Sequence, residues 1–220
     1  QRHADDHIEI GAPPIKTKKG WLLLYSYIQN YHSNEPLFTI EAVLLDLHNP
    51  KKVLGHTTMP LLTPEEEYEH YGKVKNIVFP TGVTLRGDTL SVYYGAADTT
   101  TCLATGSLKT LLKELLAKET TRPKLKRYPK NPTILPIAEH AWEKNAVFNP
   151  AAIDEEGTVR ILYRAMGDDD TSVLGYAESK NAFRITKRLP DPVYVPRAPF
   201  ELKQSGGNSG CEDPRLTRFD

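Results

Sequence analysis

"NIVFPTGVTLRGDTLSVYYGAAD" (76–98) and "NAVFNPAAIDEEGTVRILYRAMGD" (145–168) are two copies of one pattern. Each opens Asn-x-Val-Phe, crosses a glycine-containing turn, and reaches a tyrosine at the same distance: Phe79 to Tyr94, and Phe148 to Tyr163. A small residue follows, Ala96 or Ala165. β-Branched and aromatic residues on both sides of a turn make each copy strand, turn, strand. A weaker third copy, "APPIKTKKGWLLLYSYI" (12–28), sets Ile15 ten residues before Tyr25, as Ile153 precedes Tyr163. A lone hairpin cannot bury its own faces, whereas a repeated one buries them against its neighbours. The repeat therefore predicts an all-β fold and favours a β-propeller over the competing β-sandwich.

Outward from the repeats, "WLLLYSYI" (21–28) and "FTIEAVLLDL" (38–47) read as further strands. One helix is expected near 107–119, where Leu108, Leu111, Leu112, Leu115 and Leu116 form an apolar stripe and Ser107 can cap. That stripe is read as packing. Residues 121–130, basic and proline-containing, are the expected linker between a part at 1–120 and a part at 131–220.

The chain has 220 residues, with 28 basic and 28 acidic side chains and a formal net charge of zero. That balance argues against nucleic acid, which needs a basic surplus, and against a membrane surface. No apolar run approaches the ~20 residues of a membrane span. Two cysteines, Cys102 and Cys211, do not make a disulfide framework, so a reduced, cytoplasmic protein is expected. No His/Cys/Asp cluster has metal-ligand spacing; His3 and His7 are four apart but terminal.

In a propeller, polar residues at the ends of the inner strands face the central channel. Asp98 after "YYGAA", Asn149 after "AVF" and Arg164 after "ILY" hold such places, as does the run "GCEDPR" (210–215). Each alone reads equally as a turn or a solvated surface group. Together, near tyrosines and tryptophans, they suit a sugar: hydroxyls need polar partners, and sugar faces need aromatic surfaces. In "GCEDPR" the adjacent Glu212 and Asp213, stiffened by Pro214 and followed by Arg215, suit an acid held in a cleft, where burial and neighbouring charge set its pKa.

The segments "PPIKTKKGWLLLY" (13–25), "VFPTG…GDTLSVYYGAADTTTCLAT" (78–105) and "VFNPAAI…LYRA…LGYAESK…GCEDPRLT" (147–217) resemble glycoside hydrolase family 130 across nearly the whole chain. The resemblance implies a five-bladed propeller, partial or permuted in this chain, and cleavage of β-mannoside oligosaccharides with inversion, by phosphate or by water. It implies that Asp213 donates a proton, relayed through a sugar hydroxyl. It places Asn149, Arg164, Asp98, Glu212 and Arg215 at the sugar, with no cofactor beyond inorganic phosphate as a possible co-substrate. The order is that of the last part of one such domain followed by the first part of another. A tandem junction, a permutation or a product cut from a longer chain would each give it, the tandem junction being favoured. The rest of the propeller or a second copy is then an expected partner.

Two departures bear on phosphate. "YSY" (25–27) stands where phosphorylases of the family tend to have a histidine, leaving Ser26 and Lys16 as weak phosphate contacts. Val173 replaces a further cation. Charge-assisted bonds dominate anion affinity, so both changes lean toward hydrolysis. A hydrolase needs a second carboxylate roughly 6.5–9.5 Å from the first; Glu41, Glu66 and Glu69 are the candidates. A sugar-binding propeller without chemistry and an interaction scaffold remain as alternatives.

Overall fold

The computed structural model describes residues 5–117, 124–202 and 209–218. Among them lie three antiparallel sheets in chain order, each built as a blade. The first runs β1 (His7–Ile10), β3 (Trp21–Gln29), β4 (Leu37–Leu45) and β5 (Val53–His56), with the short β2 (Ile15–Lys16) also on β3. After a one-turn helix α1 (Glu67–His70), the second runs β6 (Val78–Arg86), β7 (Thr89–Ala96), β8 (Thr100–Ser107) and, beyond helix α2 (Leu108–Leu116), β9 (Lys126–Arg127). The third runs β10 (Ala146–Glu155), β11 (Thr158–Met166), β12 (Thr171–Ser179) and β13 (Ile185–Arg188), with β14 (Ser209–Gly210) parallel to β12.

The middle blade explains its own sequence. On β7, Leu90, Val92, Tyr94 and Ala96 pack with Leu22, Leu24 and Ile40 of the first blade. The alternate residue Tyr93 packs with Val147, Val159 and Ile161 of the third. A sheet buried on both faces has no solvent side to alternate with, so "LSVYYGAA" reads as an almost unbroken apolar run. Both hairpin repeats are blade interiors, β6–β7 and β10–β11. Both ladders slip at the same point, between Pro80 and Gly82 and between Phe148 and Ala151. The extra residue of each bulge is thereby turned out of the ladder.

Each repeat tyrosine is fully buried and finds a buried acid. Tyr94 Oη donates to Glu69 Oε1 at 2.8 Å, and Tyr163 Oη to Glu143 Oε2 at 2.9 Å. An arginine neutralises each: Arg127 Nη2 lies 2.8 Å from Glu69, and Arg188 Nη2 lies 2.6 Å from Glu143. Burial pushes the Glu69 carboxyl up, but Arg127 and the backbone amides of Glu65 and Glu66 leave it below its ordinary value.

Arg127 corrects one expectation. The linker expected at 121–130 is, at Lys126–Arg127, the outer strand of the second blade. A count of prolines and charges does not reveal that one of its arginines has a buried partner. Residues 118–123, including the end expected for the helix, lie outside the described residues. Within them α2 follows the expectation, with Ser107 Oγ accepting from Thr110 N and Leu111 and Leu115 buried. The strands β8 and β12, rich in threonine, serine, glycine and alanine with few large apolar residues, carry too little apolar signal to stand out in the sequence. They are buried because blades flank them.

Candidate functional site

The left-handed backbone marks where the chain turns side chains into a cleft. Asp98 (φ 51°), Asn149 (φ 47°) and Asp213 (φ 47°) all adopt it. Asp and Asn tolerate this conformation better than other side-chain-bearing residues, and such strain gathers at functional sites. Asn149 is the residue that the β10 bulge turns outward. Asp98 stands just beyond the end of β7, and Asp213 in the segment after β14.

Those three residues and Arg164 line one cleft of about 270 Å³ between the three blades, together with Glu9 and the rings of Tyr31 and Phe79. Arg164, on β11 and only 7% exposed, organises it. Its Nε donates to Ser172 Oγ at 2.9 Å, Nη1 to Asp213 Oδ1 at 3.3 Å, and Nη2 lies 3.0 Å from Glu212 Oε1. The face of the guanidinium lies over the Phe148 ring, 4.8 Å from its centroid. A buried cation needs such compensation. The neighbouring carboxylates of "GCEDPR" are held together because both turn to this one arginine.

Asp213 is fixed from two sides. Asn149 Nδ2 donates to its Oδ1 at 3.0 Å. Behind it, Arg215 donates to three backbone carbonyls: Gly11 O at 2.9 Å, Asp213 O at 3.1 Å and Pro214 O at 2.9 Å. Arg215 thus ties the segment carrying the acid to the first blade. Burial pushes the Asp98 carboxyl up to about 6, and the negative charge of Asp213 adds to the effect, against Arg164 and Lys73. Asn149 is 6% exposed, and its Oδ1 has no hydrogen-bond partner within the protein. The cleft therefore holds carboxyl groups and aromatic surface, which together can grip hydroxyls and exchange a proton.

Of the residues expected from the sequence, Asp98, Asn149, Arg164 and Asp213 come together here, with Glu212 and Arg215 bonded alongside. The others stand apart. Ser26 is fully buried, in line with Leu22, Leu24 and Ile28 against the core between the first two blades. Lys16 lies over the Trp21 ring and lines a different groove. The carboxylates expected as a base are elsewhere too. Glu41 is buried and accepts from Tyr25 Oη at 2.9 Å, Glu66 caps α1, and Glu69 pairs with Arg127. Besides Asp98 and Asp213, the carboxylate that lines the cleft among the described residues is Glu9 of β1, whose sequence setting, "HIEI", gives only an alternation of polar and apolar residues. Among the described residues no three His, Cys, Asp or Glu side chains cluster as a metal site, and no helix is long and apolar enough to cross a membrane. Cys102 and Cys211 are both free thiols.

Comparison with known proteins places the chain in a family. The model of glycoside hydrolase family 130, described as beta-1,4-mannooligosaccharide phosphorylase, matches residues 2–119. A 1,2-beta-oligomannan phosphorylase of Thermoanaerobacter sp. (strain X514) is 44% identical over 92 residues, 42% of this chain and 30% of that protein. A beta-1,4-mannooligosaccharide phosphorylase of Ruminococcus albus is 35% identical over 99 residues, 44% of this chain and 29% of that protein. The matches thus span less than a third of either relative's length. Among solved structures, fructan 1-exohydrolase IIa from Cichorium intybus superposes with a TM-score of 0.57 at 15% identity, over 84% of this chain and 32% of that one, a likeness of fold alone. The three sheets are consecutive blades of a partial β-propeller.

Proposed function

This chain belongs to glycoside hydrolase family 130, and on that premise we propose that it carries the acid side of a β-mannoside phosphorylase site. The observation that carries the reading is the meeting of Asp213, Asn149, Arg164 and Asp98 in one cleft, although 115 positions separate the first of them from the last (213 − 98). Asp213 is the proton donor to the glycosidic oxygen, and the substrate is a β-linked mannooligosaccharide. Asn149 and Asp98 bind sugar hydroxyls, and the Phe79 and Tyr31 rings offer the apolar surface a sugar face needs. Arg164 holds the acid and is, among the described residues, the guanidinium that lines the cleft. The bond is cleaved with inversion, phosphate attacking from the face opposite the acid. Phosphorolysis is favoured over hydrolysis by the two relatives named above, both phosphorylases.

A hydrolytic reading keeps one observation of its own. Neither Ser26 nor Lys16 lines the cleft, so the expected phosphate contacts are not supplied there. The experiment uses the longest available protein containing this chain, incubated with β-1,2- and β-1,4-mannobiose with and without phosphate. Mannose 1-phosphate formed only with phosphate supports the phosphorylase. Free mannose under both conditions replaces it with the hydrolase. Asp213→Asn should lower either activity by about 10²–10⁴-fold, the usual contribution of a general acid. An unchanged rate would remove Asp213 from the chemistry.

A further inference from the structure

At the opposite end of the first two blades lies a groove unrelated to the cleft. The cleft meets β6 near Phe79; the groove meets it at Leu85, about 20 Å along the strand at ~3.3 Å per residue. The groove has a volume of about 540 Å³. Its floor is apolar: Leu85 from β6, and Leu108, Leu112 and Leu116 from α2. Those three leucines recur every fourth residue; Leu108 and Leu112 are partly buried against the same core as Leu111 and Leu115, and Leu116 extends the row beyond it. Leu116 is 45% exposed. Both banks are basic, with Lys109 and Lys113 on the helix side, and Lys16 at the end of β2 with Lys18 and Lys19 on the turn that follows.

Two features make this more than a solvated surface. Among the described residues, none of the five lysines forms an ion pair. The one acid in the groove, Asp88, has its oxygens taken by Ser107 Oγ at 2.6 Å and Lys109 N at 2.7 Å. In a chain of zero net charge, five cations thus flank an apolar floor with one carboxylate, Asp88, among them.

We propose that this groove is a docking site for an acidic amphipathic helix of a partner protein. The charge pattern selects that occupant. A helix with leucine-like residues on one face fills a leucine floor by ridge and groove, and glutamates on both sides of that face meet both lysine banks. A flat anionic membrane would reach the lysines but not a floor recessed between them. The site lies outside the sugar cleft, so the inference is independent of the reading given for it.

The probe is a synthetic helical peptide with leucines at every third and fourth position flanked by glutamates, labelled for fluorescence anisotropy against the full chain. Binding is expected to weaken at least tenfold in the double variant Lys109→Glu/Lys113→Glu, and likewise in Leu116→Asp. It should also fall as salt rises, because exposed charges are screened. Both sets of changes are at the surface, and an unchanged melting temperature shows that the fold is intact. Hydrogen exchange of the complex should slow along α2. Four results would each overturn the proposal: no binding; equal binding of the same peptide with its leucines replaced by serine; equal binding with its glutamates replaced by glutamine; or binding of phosphatidylglycerol vesicles in preference to the peptide.

Discussion

The second and third blades present the same hairpin with opposite outcomes. Both place the phenylalanine, the bulge and the tyrosine at equal spacing, and both lock the tyrosine to a buried glutamate and an arginine. At the bulge, the second blade has Pro80 where the third has Asn149. Opposite the phenylalanine, it has Gly95 where the third has Arg164. At these two positions the third blade carries Asn149 and Arg164, and the second makes room for Asn149. A Cβ on Gly95 would lie 3.1 Å from Asn149 N and nearer still to Asn149 Oδ1. One scaffold, altered at two positions, yields both a wall and a site.

The largest expected effect tests whether the two locks are equivalent. Glu69→Ala and Glu143→Ala each leave an arginine and a tyrosine buried without their acid. Each should destabilise by about 3–5 kcal/mol, as broken buried pairs do. Denaturant unfolding of the two variants checks this, and effects differing by more than about 2 kcal/mol would break the analogy drawn between the blades. Next is Gly95→Ala, which pushes Asn149 from its place. It should weaken mannobiose binding about tenfold, or ~1.4 kcal/mol, and move the melting temperature little. Calorimetric titration read beside thermal unfolding would show whether the glycine serves the site or the core.

Arg215→Ala removes three hydrogen bonds to backbone carbonyls behind Asp213. At ~0.5–1.5 kcal/mol for one such bond, a fall in kcat of about fivefold to tenfold is expected, with KM nearly unchanged. A fall in affinity for phosphate alone would make Arg215 an anion contact instead. The smallest effect is in pH. The Asp98 carboxyl is raised to about 6, so the native state binds its proton more tightly than the unfolded chain. Its stabilising contribution is present at low pH and is lost as pH rises toward 6. The Glu69 carboxyl is lowered, and its contribution runs the other way, being lost as pH falls below the ordinary glutamate range. Asp98→Asn should flatten the profile of melting temperature between about pH 4 and 6 and leave the acid limb in place. A profile unaltered by that change would place Asp98 outside the buried network.

Much of the architecture could be read in advance because it is written in local pattern. The strands 21–28, 38–47, 75–85, 88–97, 145–153 and 158–166 all exist, with ends shifted by a few residues. The capped helix exists as well. Strands β8 and β12 are weakly marked in the sequence because their few large apolar residues, such as Leu103 and Val173, are buried by neighbouring blades. Arg127 reads as part of a solvated linker for a similar reason: its meaning lies in Glu69, far away in the sequence. At the site, Asp98, Asn149, Arg164 and Asp213 were legible from their places after repeated strands and from motif resemblance. Glu9 was not, since one polar residue in an edge strand has no distinguishing neighbour.

By itself the sequence determined the repeat, its hairpins and the residues able to do chemistry, because spacing and residue type are properties of the chain. Only the tertiary structure decided which of those residues meet. It set the third blade against the second, so that the "NPAA" bulge of one part faces the "YYGAAD" end of the other. It also turned Ser26 into the core and sent Glu41, Glu66 and Glu69 to structural partners. Those choices depend on which faces of neighbouring blades bury each other. That is a balance of apolar area and charge pairing summed over the whole molecule, and no single stretch of sequence contains it.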